Sequence, residues 1–351
     1  MASGDLAAAE YCSGEMTALE RDEGTRMTDG NEKVVIAAGG CLLTVQPECG
    51  GKISSLLVDQ HELLQQPLRP ILARSAQMAF EDSDASGWDE CLPTVAACSV
   101  ETAAGVVEMR DHGDLWRVGW RVVEHTPDAI TMSARCESLP LELTRTMMLT
   151  ETAAGWQLRL LYSLRNVGGE RAPWSWAAHP LFACEAGDRI VLPEAVRRVR
   201  VEGSRGNRLG AQGDWVEWPS GRREDCSRRD ASSPDSMDSM DLGVVEPSST
   251  GHAEKLFSDR LSETDGWCRL ERRHVGVTFR FDPRATPYLG LWLCYGGWPE
   301  RGERQMCVAM EPTTAPTDAL ATMGGWTRWM EPGETTHWPM DVDIAPTAKI
   351  G

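Results

Sequence analysis

The chain has 351 residues, with 35 Lys and Arg against 53 Asp and Glu, a formal charge of −18. That excess of negative charge repels phosphate backbones, so nucleic acid is not an expected partner. A hydrophobic fraction of 41% beside a charged fraction of 25% is that of an ordinary globular protein, too long for a disulfide-stapled mini-protein and able to bury a full core. No apolar run approaches the length of a membrane span, and Met1-Ala2-Ser3-Gly4-Asp5 lacks the basic and apolar regions of a signal peptide, so a cytoplasmic protein without a membrane partner is expected. The 11 cysteines are scattered singly without a C-x-x-C pair and read as reduced thiols that fill the core.

Residues 1–32, rich in Ala, Glu, Asp, Gly and Thr without a sustained period, are expected to form a flexible acidic tail. One domain is expected over 33–347. Val34–Ala38, Cys41–Val45, Trp116–Glu124, Ala129–Ala134, Leu141–Thr150 and Trp156–Leu164 are β-rich, several alternate, and Gly, Pro, Asn or Asp separate them; all six are predicted strands. Residues 220–250, with a Ser/Asp/Met-rich centre, have too little contiguous apolar surface to offset their ordering entropy and are predicted to be a low-complexity surface insertion. Strands resume at Trp267–Leu270, Val275–Phe281, Tyr288–Cys294 and Met306–Met310, and only short stretches such as Thr317–Met323 suggest a helix. So many strands with so few helices predict an all-β protein of packed antiparallel sheets.

Two of the seven histidines stand in unusual settings. His112 lies in the polar turn Arg110-Asp111-His112-Gly113-Asp114, whose glycine permits close approach to the backbone. His179 lies in the apolar Trp174-Ser175-Trp176-Ala177-Ala178-His179-Pro180, where it is either a hydrogen-bonded core residue or a group left at a cleft by a proline that ends the strand. Glu311 follows the apolar Met306–Met310 and is either a desolvated base or a turn residue held by the threonines after Pro312. The 14 tryptophans outnumber Phe and Tyr together, which suits a cleft for a polyhydroxylated ring as well as it suits a core; Trp292 is the candidate to face a ligand. No G-x-S-x-G, P-loop, H-E-x-x-H or strand-associated G-x-G-x-x-G is present. Nothing in the spacing of His112, His179 and Glu311 favours a metal, and no cofactor is expected.

Seven ordered segments carry a resemblance: Gly50–Leu57 with Glu62-Leu63-Leu64, Gly87–Pro93, Asp111-His112-Gly113, Trp176–Phe182, Tyr288–Trp292, Glu311-Pro312 with Asp318-Ala319, and Pro332-Gly333-Glu334. Together they span roughly residues 34–346, and the chain resembles the aldose 1-epimerase (galactose mutarotase-like) superfamily. The resemblance implies a β-supersandwich with an open sugar cleft and a cofactor-free interconversion of α and β anomers of a free aldose. It implies Glu311 as the general base on the anomeric hydroxyl, His179 as the acid on the ring oxygen, and His112 as a second histidine on the sugar. An imidazole that donates and a carboxylate that accepts suit ring opening near neutral pH.

Galactose mutarotases also carry an arginine shortly before the first histidine and an aspartate between the second histidine and the glutamate. Here Trp88-Asp89-Glu90 occupies the first region, and Asp241, Lys255 and Asp259 offer no clear counterpart in the second. Trp88, Asp89, Glu90 and Asp111 are therefore expected, with Trp292, to contact the sugar. A sugar phosphate is disfavoured, and the assembly is expected to be a monomer or homodimer. The competing readings are a non-catalytic carbohydrate-binding or sensing protein and another sugar isomerase or lyase on the same scaffold.

Overall fold

The structure, a computed structural model, describes residues 33–75, 77–103, 105–223, 240–322 and 324–347. The expected tail at 1–32, the centre of the 220–250 insertion and Met323 lie outside them.

Two large sheets dominate. The first runs, in spatial order, through Val34–Ala38, Cys41–Gln46, Lys52–Val58, Trp88–Cys91, Ala177–Ala183, Met306–Thr313, Tyr288–Tyr295, His252–Ser258, Arg198–Ser204 and Trp215–Glu217, with His61–Glu62 added on Lys52–Val58. The second runs Arg189–Val191, Trp267–Glu271, Val275–Phe281, Thr335–Pro346, Gly155–Asn166, Leu141–Thr152, Ala129–Arg135 and Arg121–His125. Neighbouring strands are antiparallel, and no helix among the described residues exceeds a short 3-10 turn.

Period-two alternation sets the packing. Leu141, Leu143, Met147 and Leu149 point inward from one long strand, as do Leu158, Leu160, Tyr162 and Leu164 from its partner. They meet the inward residues of the first sheet, Ile53, Trp88, Phe182, Leu289, Leu291, Val308 and Met310, in one continuous core. Arg145 occupies an inward position of the same row and is fully buried. Its Nη1 donates to Glu90 Oε1 at 2.8 Å and its Nη2 to the Gly51 carbonyl, so a charged staple joins the sheets.

Three expectations are corrected. Trp116–Glu124 is not one strand: Leu115–Arg117 forms a 3-10 turn, and the strand is Arg121–His125. The reason is close packing against Gly50 and Gly51, where a Cβ would stand 2.1 Å from the Trp116 carbonyl oxygen and 2.6 Å from the Trp120 ring. Pro180 does not end its strand, which continues to Ala183. The helix expected at Thr317–Met323 is reduced to the 3-10 turn Leu320–Thr322. In the segment expected as a surface insertion, the described end at 240–250 is packed, with Leu242 and Val245 in the core.

Candidate functional site

Alternation that sends Trp88, Phe182, Leu291 and Val308 into the core sends their chain neighbours to the other face of the first sheet. Across that face the register lines up Lys52, Asp89, His179 and Glu311 on successive strands. Asp89 is the ladder partner of His179. Ala177 pairs with Thr313 and Leu181 with Ala309, which sets Glu311 level with His179 on the other side. Glu311 is opposite Gly290 in the next strand, and Lys255 follows one strand further on.

A cleft of about 290 Å³ opens on this face. Its floor includes His179, Leu181, Lys255 and Trp292, all on strands; Phe80, Glu81, Val95, Ala96, Asp111, His112, Trp298, Gln305 and Asp318 close it from loops and turns. The His112 ring lies flat on Phe80, centroids 3.6 Å apart, and meets the His179 ring edge-on at 5.0 Å. Asp111 Oδ2 is 2.9 Å from His112 Nδ1, which fixes that ring from behind. His112 has a φ of 58°, and the turn is held by Gly113, where a Cβ would meet the Leu92 carbonyl at 2.2 Å. Trp292 is half-buried; its indole N–H donates to Gln305 Oε1 at 3.2 Å, and Gln305 is anchored on the Ala85 carbonyl at 2.8 Å.

The electrostatics centre on Lys255. Its ammonium donates to Glu311 Oε2 and stands 3.4 Å from Asp318 Oδ1. Burial works against the Lys255 charge, but Asp318 and Glu311 outweigh it and push the lysine up from its ordinary value. Burial raises the Asp318 carboxyl to about 6, against the pull of Lys255. Burial, followed by the neighbouring His112, Lys255 and Lys52, pushes His179 well below the ordinary histidine value. Three buried polar atoms on the row lack hydrogen-bond partners: Asp89 Oδ1, His179 Nδ1 and Glu311 Oε1.

The expected site residues thus separate into two groups. His112, His179, Asp111 and Trp292 line the cleft, and Glu311 lies just beneath it behind Lys255. Trp88, Asp89 and Glu90, expected at the sugar, do not line it. Trp88 packs in the core against Phe279, ring centroids 5.6 Å apart. Glu90 points inward, where Arg145, Tyr162 and Trp176 all donate to its carboxylate. Asp89 is held by Lys52 Nζ at 2.5 Å. Lys255, Asp318 and Gln305 were not expected as lining. Among the described residues no three His, Cys, Asp or Glu side chains form a group able to hold a metal, and no helix is long and apolar enough to cross a membrane.

No family model matches the sequence, and no curated protein matches it. Solved structures do. A protein from Synechocystis superposes with a TM-score of 0.65 at 15% identity, covering 91% of this chain and 97% of that one. A protein from Escherichia coli, provisionally assigned as an aldose 1-epimerase, gives 0.64 at 17% identity, covering 90% and 99%. A galactose mutarotase-like protein from Lactobacillus casei gives 0.61 at 14% identity, covering 89% and 100%. The chain has the galactose mutarotase-like fold. At these identities the likeness is one of architecture. Within the galactose mutarotase-like fold, His179 and Glu311 sit at the centre of the first sheet, where its strands are buried on both faces.

Proposed function

We propose that the protein interconverts the α and β anomers of a free aldose by general acid–base catalysis in this cleft. The observation that carries the reading is that His112 and His179 line one cleft of pyranose scale with Glu311 just beneath it, the three being remote from one another in sequence. In this reading Glu311 Oε1, an acceptor without a partner, takes the proton of the anomeric hydroxyl. His179 gives a proton to the ring oxygen, which requires that the bound sugar offset the burial that holds its imidazole well below the ordinary histidine value. The C1–O5 bond breaks, an aldehyde forms, and rotation about C1–C2 followed by the reverse transfers closes the ring as the other anomer.

Lys255 covers Glu311, so the sugar hydroxyl reaches the carboxylate when the ammonium moves towards Asp318, its second partner at 3.4 Å. Trp292, fixed by Gln305, offers an indole face to the apolar side of the ring. Glu81, Asp111 and Asp318 line the cleft, while its one lysine is already shared by two carboxylates, so a neutral sugar is favoured over a phosphorylated one.

The test follows anomer equilibration of freshly dissolved aldoses by polarimetry or NMR. The wild type is expected to accelerate it and Glu311→Gln to lose at least 100-fold, on the order of a general-base contribution. A second reading, a sugar-binding or sensing protein, is favoured by the ion pair that caps Glu311. Saturable sugar binding without acceleration, by protein shown to be folded, would select it.

A further inference from the structure

The geometry points to Asp89 as the positioning residue of His179: its free Oδ1 accepts the imidazole Nδ1–H and leaves Nε2 to the cleft. Both atoms are buried, their residues 2% and 5% exposed, and neither has a hydrogen-bond partner. Buried polar atoms of this kind are rarely left unpaired. The two residues are ladder partners in adjacent antiparallel strands, on the same face, which places their Cβ atoms about 4.5–5.5 Å apart. With the Asp89 carboxylate held by Lys52, rotation of the imidazole is the movement that would bring Nδ1 to Oδ1.

Glu311 is the competing acceptor, since its Oε1 is also unpaired and the residue stands level with His179 on the neighbouring strand. The ladder decides between them. Residues 177–180 pair continuously with 88–91, whereas pairing with Met306–Thr313 lapses between Ala177 and Leu181. The Asp89 carboxylate is itself fixed, its Oδ2 taken by Lys52 from the strand on its far side, so the remaining oxygen is the one left for the imidazole. Lys52 is further braced by Asp84 at 3.3 Å, which Arg74 holds at 2.7 Å.

A carboxylate on Nδ1 holds the ring in one tautomer and stabilises the imidazolium, the form an acid must take before it donates from Nε2. This catalytic consequence rests on the function proposed above; the hydrogen bond itself does not.

The experiment is ¹⁵N NMR of protein labelled at histidine nitrogen, with the His179 signals identified by their loss in His179→Gln. In the wild type Nδ1 should carry the proton. Asp89→Asn should redistribute the tautomers of His179, and Glu311→Gln should leave them as they are. A bare Nδ1 in the folded wild type overturns the proposal, and this arm needs no variant. A tautomer that responds to Glu311→Gln but not to Asp89→Asn also overturns it. Anomer exchange, read in parallel, should fall ~10–100-fold in Asp89→Asn. Its absence in the wild type would sink the proposed function, while the nitrogen shifts would still decide the role of Asp89.

Discussion

The Glu311 carboxylate lies over Gly290, its ladder partner, and the missing side chain there is what gives it room. A Cβ on Gly290 would stand 3.1 Å from Glu311 Oε2 and 3.2 Å from the Phe257 ring. Gly290→Ala should therefore move the carboxylate by a few tenths of an ångström and weaken its bond to Lys255. Anomer exchange is expected to fall by ~10-fold or more, since misplacements of about 1 Å are worth ~100-fold, while urea denaturation shows a loss of about 1 kcal/mol or less. Equal rates in the two proteins would remove Glu311 from the reaction.

Asp318 imposes a pH dependence on stability. Its ordinary value is 3.8, and burial raises it to about 6 in the folded chain. Between those values the folded protein keeps a proton that the unfolded chain has released. Stability contributed by this group therefore falls as pH rises through the window and is flat above it. Asp318→Asn should gain on the wild type by on the order of 3 kcal/mol between pH 3.5 and pH 7.5. Urea titrations at the two pH values measure the difference; a constant offset would mean that the Asp318 carboxyl is not desolvated.

Glu90 separates a structural from a sugar-contacting role. Arg145 and Glu90 are both fully buried and 2.8 Å apart, so Glu90→Gln leaves an uncompensated guanidinium between the sheets. A loss of about 3–5 kcal/mol in unfolding free energy is expected, with sugar affinity within twofold of the wild type by calorimetry. A tenfold loss of affinity at unchanged stability would return Glu90 to the cleft.

His112 can be replaced without disturbing its turn, because asparagine tolerates the left-handed φ of 58° better than most residues. His112→Asn should retain the far-ultraviolet spectrum of the wild type and lose ~10–100-fold in anomer exchange. An unchanged rate would make His112 a wall of the cleft and nothing more.

The sequence made the second sheet easy to read. Leu141–Thr152 and Gly155–Asn166 alternate because one face is core and the other solvent, and the period is visible in the residues themselves. The strands under the cleft hide theirs, because Tyr288–Tyr295 and His252–Ser258 are covered on both faces and their order is set by partners far along the chain. The same cause explains the site. His112, His179 and Glu311 were legible as residues in unusual local settings. Lys255 was not, since His252-Ala253-Glu254-Lys255 is polar in sequence and is buried through pairing with Tyr288–Tyr295 on one side and Arg198–Ser204 on the other. Asp89 and Glu90 were singled out as acids, yet which face each occupies, sheet interior for one and the row beside His179 for the other, depends on a strand only four residues long.

The cleft is built in two parts of different origin. Its floor, with His179 and Lys255 above Glu311, hangs on strands cross-braced by the Lys52 and Arg145 ion pairs, whereas Phe80, Val95, Ala96, Asp111, His112 and Trp298 close it from turns and loops. Under the function proposed above, grafting other loops onto these turns would change which sugar is admitted and leave His179, Lys255 and Glu311 in register, so the scaffold suits the engineering of specificity by segment exchange.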